Sequence, residues 1–201
     1  MNNQDATERL ITTRIQESLE VTQALLGDRS LIETVAEVGK RMARALAARQ
    51  RVFFFGNGGS AADAQHLAAE LVGRFERERR ALPAMALTTD TSALTAVAND
   101  SSFEKIFARQ IEALAEPGDI AVGISTSGKS PNVLAAIHVA KQRGVVTVGM
   151  TSQSGGQLAT AADYCIRIPS DNTARVQEKH ILIGHLLCEI VESELFPDSK
   201  R

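Results

Sequence analysis

The chain has 201 residues, enough for one domain to bury a full hydrophobic core without disulfides or a structural metal. Its 22 Lys and Arg against 24 Asp and Glu leave a formal net charge of -2, which argues against a general nucleic-acid or anionic-membrane binder. With 44% apolar and 23% charged residues, and no apolar run approaching the ~20 residues a membrane helix needs, integral membrane function is excluded. Cys165 and Cys188 stand alone in apolar segments and read as buried free thiols. The polar stretch Met1 to Arg9 carries no signal-peptide pattern, so a reducing cytoplasm is expected.

Leu10, Ile11, Ile15, Leu19, Leu25 and Leu26 recur at helical spacing until Gly27-Asp28 interrupts them. Ser30-Leu31-Ile32-Glu33 has capping-box spacing and predicts a second helix to about Arg49. From Arg51 the pattern changes to short apolar runs: 52–55, 84–87, 120–124, 145–150 and 164–168. They alternate with helical stretches, including 60–75 and 131–142, which predicts a parallel sheet covered on both faces in an α/β sandwich. A last helix is expected over about Thr173 to Phe196, ended by Pro197.

Two strand-to-helix turns share one chemistry, Gly56-Asn57-Gly58-Gly59-Ser60 and Ser125-Thr126-Ser127-Gly128-Lys129-Ser130, and together suggest one ligand held between them. Small residues let the backbone approach an anion, hydroxyls donate to its oxygens, and the following helix N-terminus directs N–H groups at it. A monophosphate suits the second turn; the plainer alternative is that its hydroxyls only cap the helix starting at Pro131. Gly123 to Ser130 also spells the nucleotide P-loop, but Gly123 and Ile124 read as strand and no second carboxylate for magnesium is evident. Gly56 to Ala61 spells a dinucleotide fingerprint whose acidic partner would have to be Asp90, which comes late.

His66 and Glu70 are four residues apart on one helix face, a spacing suited to two ligands of one metal, to a base and its neighbour, or to an ordinary surface pair. Gln177 and His185 are eight apart on the last helix, about 12 Å of rise. Reaching one small centre would require them to lean together or to come from neighbouring subunits. His138 and His180 default to structural or solvent roles.

Taken together, Gly56-Asn57-Gly58-Gly59-Ser60, Asp63-Ala64-Gln65-His66 with Glu70, Asn99-Asp100, Ser125-Thr126-Ser127-Gly128 with Ser130, and Ala174-Arg175-Val176-Gln177-Glu178 with His185 closely resemble the phosphoheptose isomerases of the sugar isomerase (SIS) domain family. The resemblance runs from the N-terminal helices to the last helix. Lys129 departs from it, since the family commonly has Asn there. It implies a three-layer sandwich of flavodoxin-like topology, one SIS domain over 1–201, with helices in 8–49 making oligomer contacts.

The resemblance further implies aldose-ketose isomerisation of sedoheptulose 7-phosphate and D-glycero-D-manno-heptose 7-phosphate through an enediol. That step opens heptose synthesis for lipopolysaccharide core or surface polysaccharide. On this basis Ser60, Ser125, Thr126, Ser127 and Ser130 hold the phosphate, while Asn57, Gly58, Gly59, Asn99, Asp100 and Gln177 line the sugar and Arg74 neutralises charge nearby. Glu70, which also meets the substrate, is the carbon base and His185 its acid/base partner. One zinc per subunit is implied, through His66, Glu70, Gln177 and His185, with no nucleotide cofactor. A homotetramer with sites near subunit boundaries is expected, with no direct nucleic-acid or membrane partner. A related branch of the fold instead binds the bacterial replication initiator protein, and Leu195-Phe196-Pro197 and Phe75-Glu76-Arg77-Glu78 look like it. That branch lacks the acid at position 70 and the imidazole at position 185, both present here. A SIS-domain transcription regulator is disfavoured because no helix-turn-helix segment is appended.

Overall fold

Five apolar runs become five parallel strands in the computed structural model, which describes residues 3–198. Along the chain come α1 (Asn3–Gly27), α2 (Arg29–Ala47), β1 (Val52–Gly56), α3 (Gly59–Val72), β2 (Ala84–Ala86) and α4 (Thr91–Asp100). A 3-10 turn (Phe103–Lys105) leads to α5 (Ala108–Leu114), β3 (Ile120–Ile124), α6 (Pro131–Gln142), β4 (Val146–Thr151), α7 (Leu158–Ala161), β5 (Tyr164–Arg167) and α8 (Thr173–Leu195). The strand order is β2-β1-β3-β4-β5, with Val52 level with Ile120 and Gly123 level with Gly149. This is the expected three-layer sandwich of flavodoxin-like order.

Alternate side chains of β1 and β3 feed two cores. Val52, Phe54, Val122, Ile124 and Met150 pack under α2, α3 and α8, whereas Phe53, Phe55 and Ala121 pack under the layer containing α5 and α6. Both faces are covered, which is why Phe53-Phe54-Phe55 is continuous apolar sequence rather than alternating. The expected strand limits shift by about a residue: Gly56 and Thr151 join strands, while Leu87, Val145 and Ile168 fall outside.

Three helix boundaries correct the expectation. The second helix starts at Arg29, capped by Asp28, whose Oδ1 accepts from Leu31 N at 3.0 Å; Ser30 lies inside the helix rather than capping it. A carboxylate two residues earlier is a strong acceptor placed at the positive end of the helix dipole. The helix after β1 stops at Val72 instead of Phe75, because Gly73 closes it and the following segment is bound elsewhere. Phe196 caps the last helix, which Asn172 opens by accepting from Ala174 N.

After β1 the chain crosses to the edge strand β2 and then returns to β3 on the other side of β1, so the strand order reverses between β1 and β3. Such a reversal leaves a crevice at the carboxyl ends of the two strands, the usual ligand position in open α/β sheets. On one face α3 and α8 lie side by side, brought close where Gly184 meets Leu67: an added Cβ there would come within 2.5 Å of the leucine. No helix among the described residues is long and apolar enough to cross a membrane.

Candidate active site

The turn after β3 gathers its hydroxyls instead of spending them on the helix. Ser125 Oγ lies 2.9 Å from Ser130 Oγ and 3.5 Å from Ser127 Oγ. Ser130 occupies the cap position of α6 but makes no side-chain capping bond. Instead, Asn132 Oδ1 accepts from Val133 N at 2.9 Å. The alternative in which these hydroxyls merely cap α6 therefore fails for Ser130. Gly128 has φ +61°, and a Cβ on it would sit 2.0 Å from Gly155 O. The turn is braced from behind, with Leu158 N donating to Gly128 O and Ser152 N to Thr126 O. Three hydroxyls thus converge at a rigid helix N-terminus, a ready anion cradle.

The turn after β1 flanks the same crevice. Gly58 takes φ +56° and Ser60 N donates to Asn57 O, leaving Ser60 buried at the start of α3. Asn57 and Asn132 exchange a reciprocal pair of amide hydrogen bonds, each 2.8 Å, and so join the two turns across the strand reversal. Asn132, 2% exposed, was not singled out from sequence, where it is one amide after a proline.

Along α3, Asp63, His66 and Glu70 follow Ser60 towards α8. His66 Nε2 lies 2.9 Å from His185 Nε2 and 3.3 Å from Glu70 Oε1. One donor atom each from His66, Glu70 and His185 falls within a 4.8 Å cluster, which suits a cation held by nitrogen and oxygen. Asp63 has a buried Oδ2 without a hydrogen-bond partner among the described residues. Burial raises its pKa, and the nearby His66 opposes the rise only in part. One turn beyond His185, burial pushes the Cys188 thiol up to about 12, with the Glu70 and Glu192 carboxylates adding to the effect and Arg79 opposing it.

A SIS-domain family model matches residues 16–152. The chain is 52% identical over 188 residues to a phosphoheptose isomerase of Solidesulfovibrio magneticus, covering 94% of this chain and 91% of that one. It belongs to the phosphoheptose isomerase family of SIS-domain proteins. Solved phosphoheptose isomerases superpose closely on it. That of Neisseria gonorrhoeae has a TM-score of 0.88 at 39% identity, covering 93% of this chain and 99% of its own. That of Francisella tularensis has a TM-score of 0.89 at 37% identity, covering 96% and 100%. Membership makes the chain an isomerase, and the initiator-binding alternative has no support.

The Gln177 amide lies against Gly59, where an added Cβ would be 2.4 Å from Nε2. Because α3 and α8 run alongside each other, Gln177 is level with the Gly59 end and His185 with His66. Each finds its own neighbour within the chain, so bringing His185 to a cluster needs no second subunit. Asn99 and Asp100 hydrogen-bond to each other at the exposed end of α4, and among the described residues neither bonds to another expected site residue. Arg74 is exposed and pairs with Glu78 at 3.2 Å. Asp90, the poor dinucleotide candidate, caps α4 by accepting from Ala93 N. The strand ending at Ile124 likewise absorbs Gly123, the first glycine of the apparent P-loop.

Proposed function

We propose that this enzyme interconverts sedoheptulose 7-phosphate and D-glycero-D-manno-heptose 7-phosphate, in the cytoplasm, for lipopolysaccharide core or surface polysaccharide. One observation carries the reading: the hydroxyl cradle before α6 and the start of α3 at Ser60 flank one crevice, and α3 runs on from there to the His-Glu-His cluster it forms with α8. Ser60 and His66 are six residues apart on α3, about 9 Å of rise. A seven-carbon sugar with its phosphate in the cradle extends its carbonyl end that far.

In this reading Ser60, Ser125, Thr126, Ser127 and Ser130 take the phosphate, and Asn57, Gly58, Gly59 and Gln177 line the chain of hydroxyls. Glu70 removes a proton from C1 of the ketose, and the electron pair forms the C1–C2 double bond of the enediol as the C2 oxygen is protonated. His185 relays that oxygen proton, and delivery of the carbon proton to C2 yields the aldose. His66, Glu70 and His185 fit zinc, which when bound supplies Lewis-acid polarisation of the substrate oxygens. Gln177 belongs to the same proposal in both of its roles, as a fourth zinc ligand and beside the substrate, and its amide lies against Gly59. The roles of Asn99, Asp100 and Arg74 belong to the same proposal, supported by the family resemblance alone.

A tetramer with one zinc per subunit is part of the proposal. Leu10, Ile11, Ile15, Leu19 and Leu26 on α1, with Ile32, Leu182 and Leu186 beside them, form exposed apolar surface that a second copy would bury. The deciding experiment incubates purified protein with sedoheptulose 7-phosphate and follows it by NMR. Appearance of the aldose is expected; an unchanged ketose with zinc present overturns the proposal.

A further inference from the structure

The segment after α3 has neither helix nor strand, yet a buried ion pair fixes its course. Glu192 Oε1 accepts from Phe75 N, and its Oε2 accepts from Glu76 N and Arg77 N, each at 2.9 Å. Arg79 Nε donates to the same carboxylate at 2.9 Å, and the two side chains are 0% and 1% exposed. The remaining guanidinium donors reach the carbonyls of Glu70, Leu71, Gly73 and Arg80. Burial pushes the Glu192 pKa up, but the backbone donors of Glu76, Phe75 and Arg77 and the Arg79 charge more than offset it, leaving the carboxyl below its usual value.

A buried pair is weak support for stability, because desolvating both charges costs about what their attraction returns. Its distinctive feature here is what it joins. Arg79 holds the end of α3 at the carbonyl of Glu70, Glu192 lies two turns beyond His185 on α8, and Phe75 hangs between them. The Phe75 ring stacks on His185 with centroids 5.2 Å apart and planes inclined by 27°. His185 also meets His66 in an edge-type contact, with centroids 5.1 Å apart. An imidazole's outer torsion is otherwise broad, so a flat ring on one face narrows it and keeps Nε2 aimed at His66.

We propose that Phe75 is a positioning residue for the isomerisation, its ring held against His185 by the buried Arg79–Glu192 pair. The proposal rests on the function assigned above to His185. Phe75 has no group that can exchange protons or bind a cation, so it acts only by orienting the imidazole.

The test compares Phe75→Leu, which keeps apolar bulk, with Phe75→Tyr, which keeps the ring. Phe75→Leu should lower kcat at least ~10-fold with KM nearly unchanged, as misplacement of a reacting group does. Phe75→Tyr should restore most of it. In the Arg79→Lys background, adding Phe75→Leu should cost little more, because both act through one contact. A kcat for Phe75→Leu within about twofold of the parent, a parallel rise in KM, failure of Tyr to rescue, or additive effects would each overturn the proposal. If Arg79→Lys does not fold, the two Phe75 variants decide alone. Side-chain NMR of His185 gives a readout independent of turnover: the Leu variant should lose the ring-current shift that the Tyr variant keeps. Unaltered His185 resonances in Phe75→Leu sink the positioning role, whereas a parent protein inert towards the sugar phosphate sinks the functional reading instead.

Discussion

His66 and His185 present their Nε2 atoms to each other at 2.9 Å across the contact between α3 and α8, with Glu70 Oε1 3.3 Å from the first. Two imidazoles and a carboxylate converging this way make zinc binding testable directly. Metal analysis should find about one zinc per subunit, and chelation should abolish turnover that added zinc restores. His66→Gln should release zinc at chelator concentrations the parent tolerates. A metal-free preparation with full activity would remove zinc from the chemistry.

Glu70→Gln keeps size and hydrogen bonding but loses the basicity needed to take a carbon-bound proton. Turnover should fall at least ~100-fold, the lower end of a positioned base's contribution. Steady-state rates decide it, with binding of the sugar phosphate followed by calorimetry. Activity within about tenfold of the parent, with binding intact, would assign the base elsewhere.

Ser127 Oγ accepts from Lys129 N at 3.2 Å, and the residue is exposed. Ser127→Ala removes one hydroxyl from the anion cradle, and a hydrogen bond to a charged group is worth about 1.5–3 kcal/mol. KM should rise roughly 10- to 100-fold with kcat little changed. An unchanged KM would mean that the turn is purely structural.

His180 is 1% exposed, with Nε2 3.3 Å from Thr151 O and Nδ1 buried without a hydrogen-bond partner among the described residues. Burial lowers its pKa from 6.5 to about 4, against a smaller opposing effect of the Thr151 carbonyl. Between those values the unfolded chain binds a proton that the folded chain refuses, so stability is full above pH 6.5 and falls as the pH drops towards 4. From pH 7 to pH 5 this one group should cost about 2 kcal/mol. Urea unfolding of the parent and of His180→Gln at both pH values tests it, since the difference between them isolates this group from the carboxylates. Equal pH dependence in the two proteins would refute it.

The sequence by itself determined the sandwich and its loops, because those signals are local. An apolar run such as 52–55 carries its strand, Pro131 carries a helix start, and residues 125–130 carry a hydroxyl-rich turn wherever the rest of the chain goes. The spacing of His66 and Glu70 is equally local. Helix limits were less legible where competing caps stood close together, as with Asp28 and Ser30, since the sequence does not show which oxygen reaches the free N–H groups.

Only the tertiary structure decided which faces of α3 and α8 meet. Their contact sets His185 opposite His66 across 119 residues, leaves Gln177 beside Gly59, and makes room for Leu67 at Gly184. The Asn57–Asn132 lock and the stacking of Phe75 on His185 arise in the same way. None of these has a local signal, because helical periodicity reveals that a face is buried but not what covers it. The partner is chosen by how side-chain volumes interdigitate once all the elements are assembled.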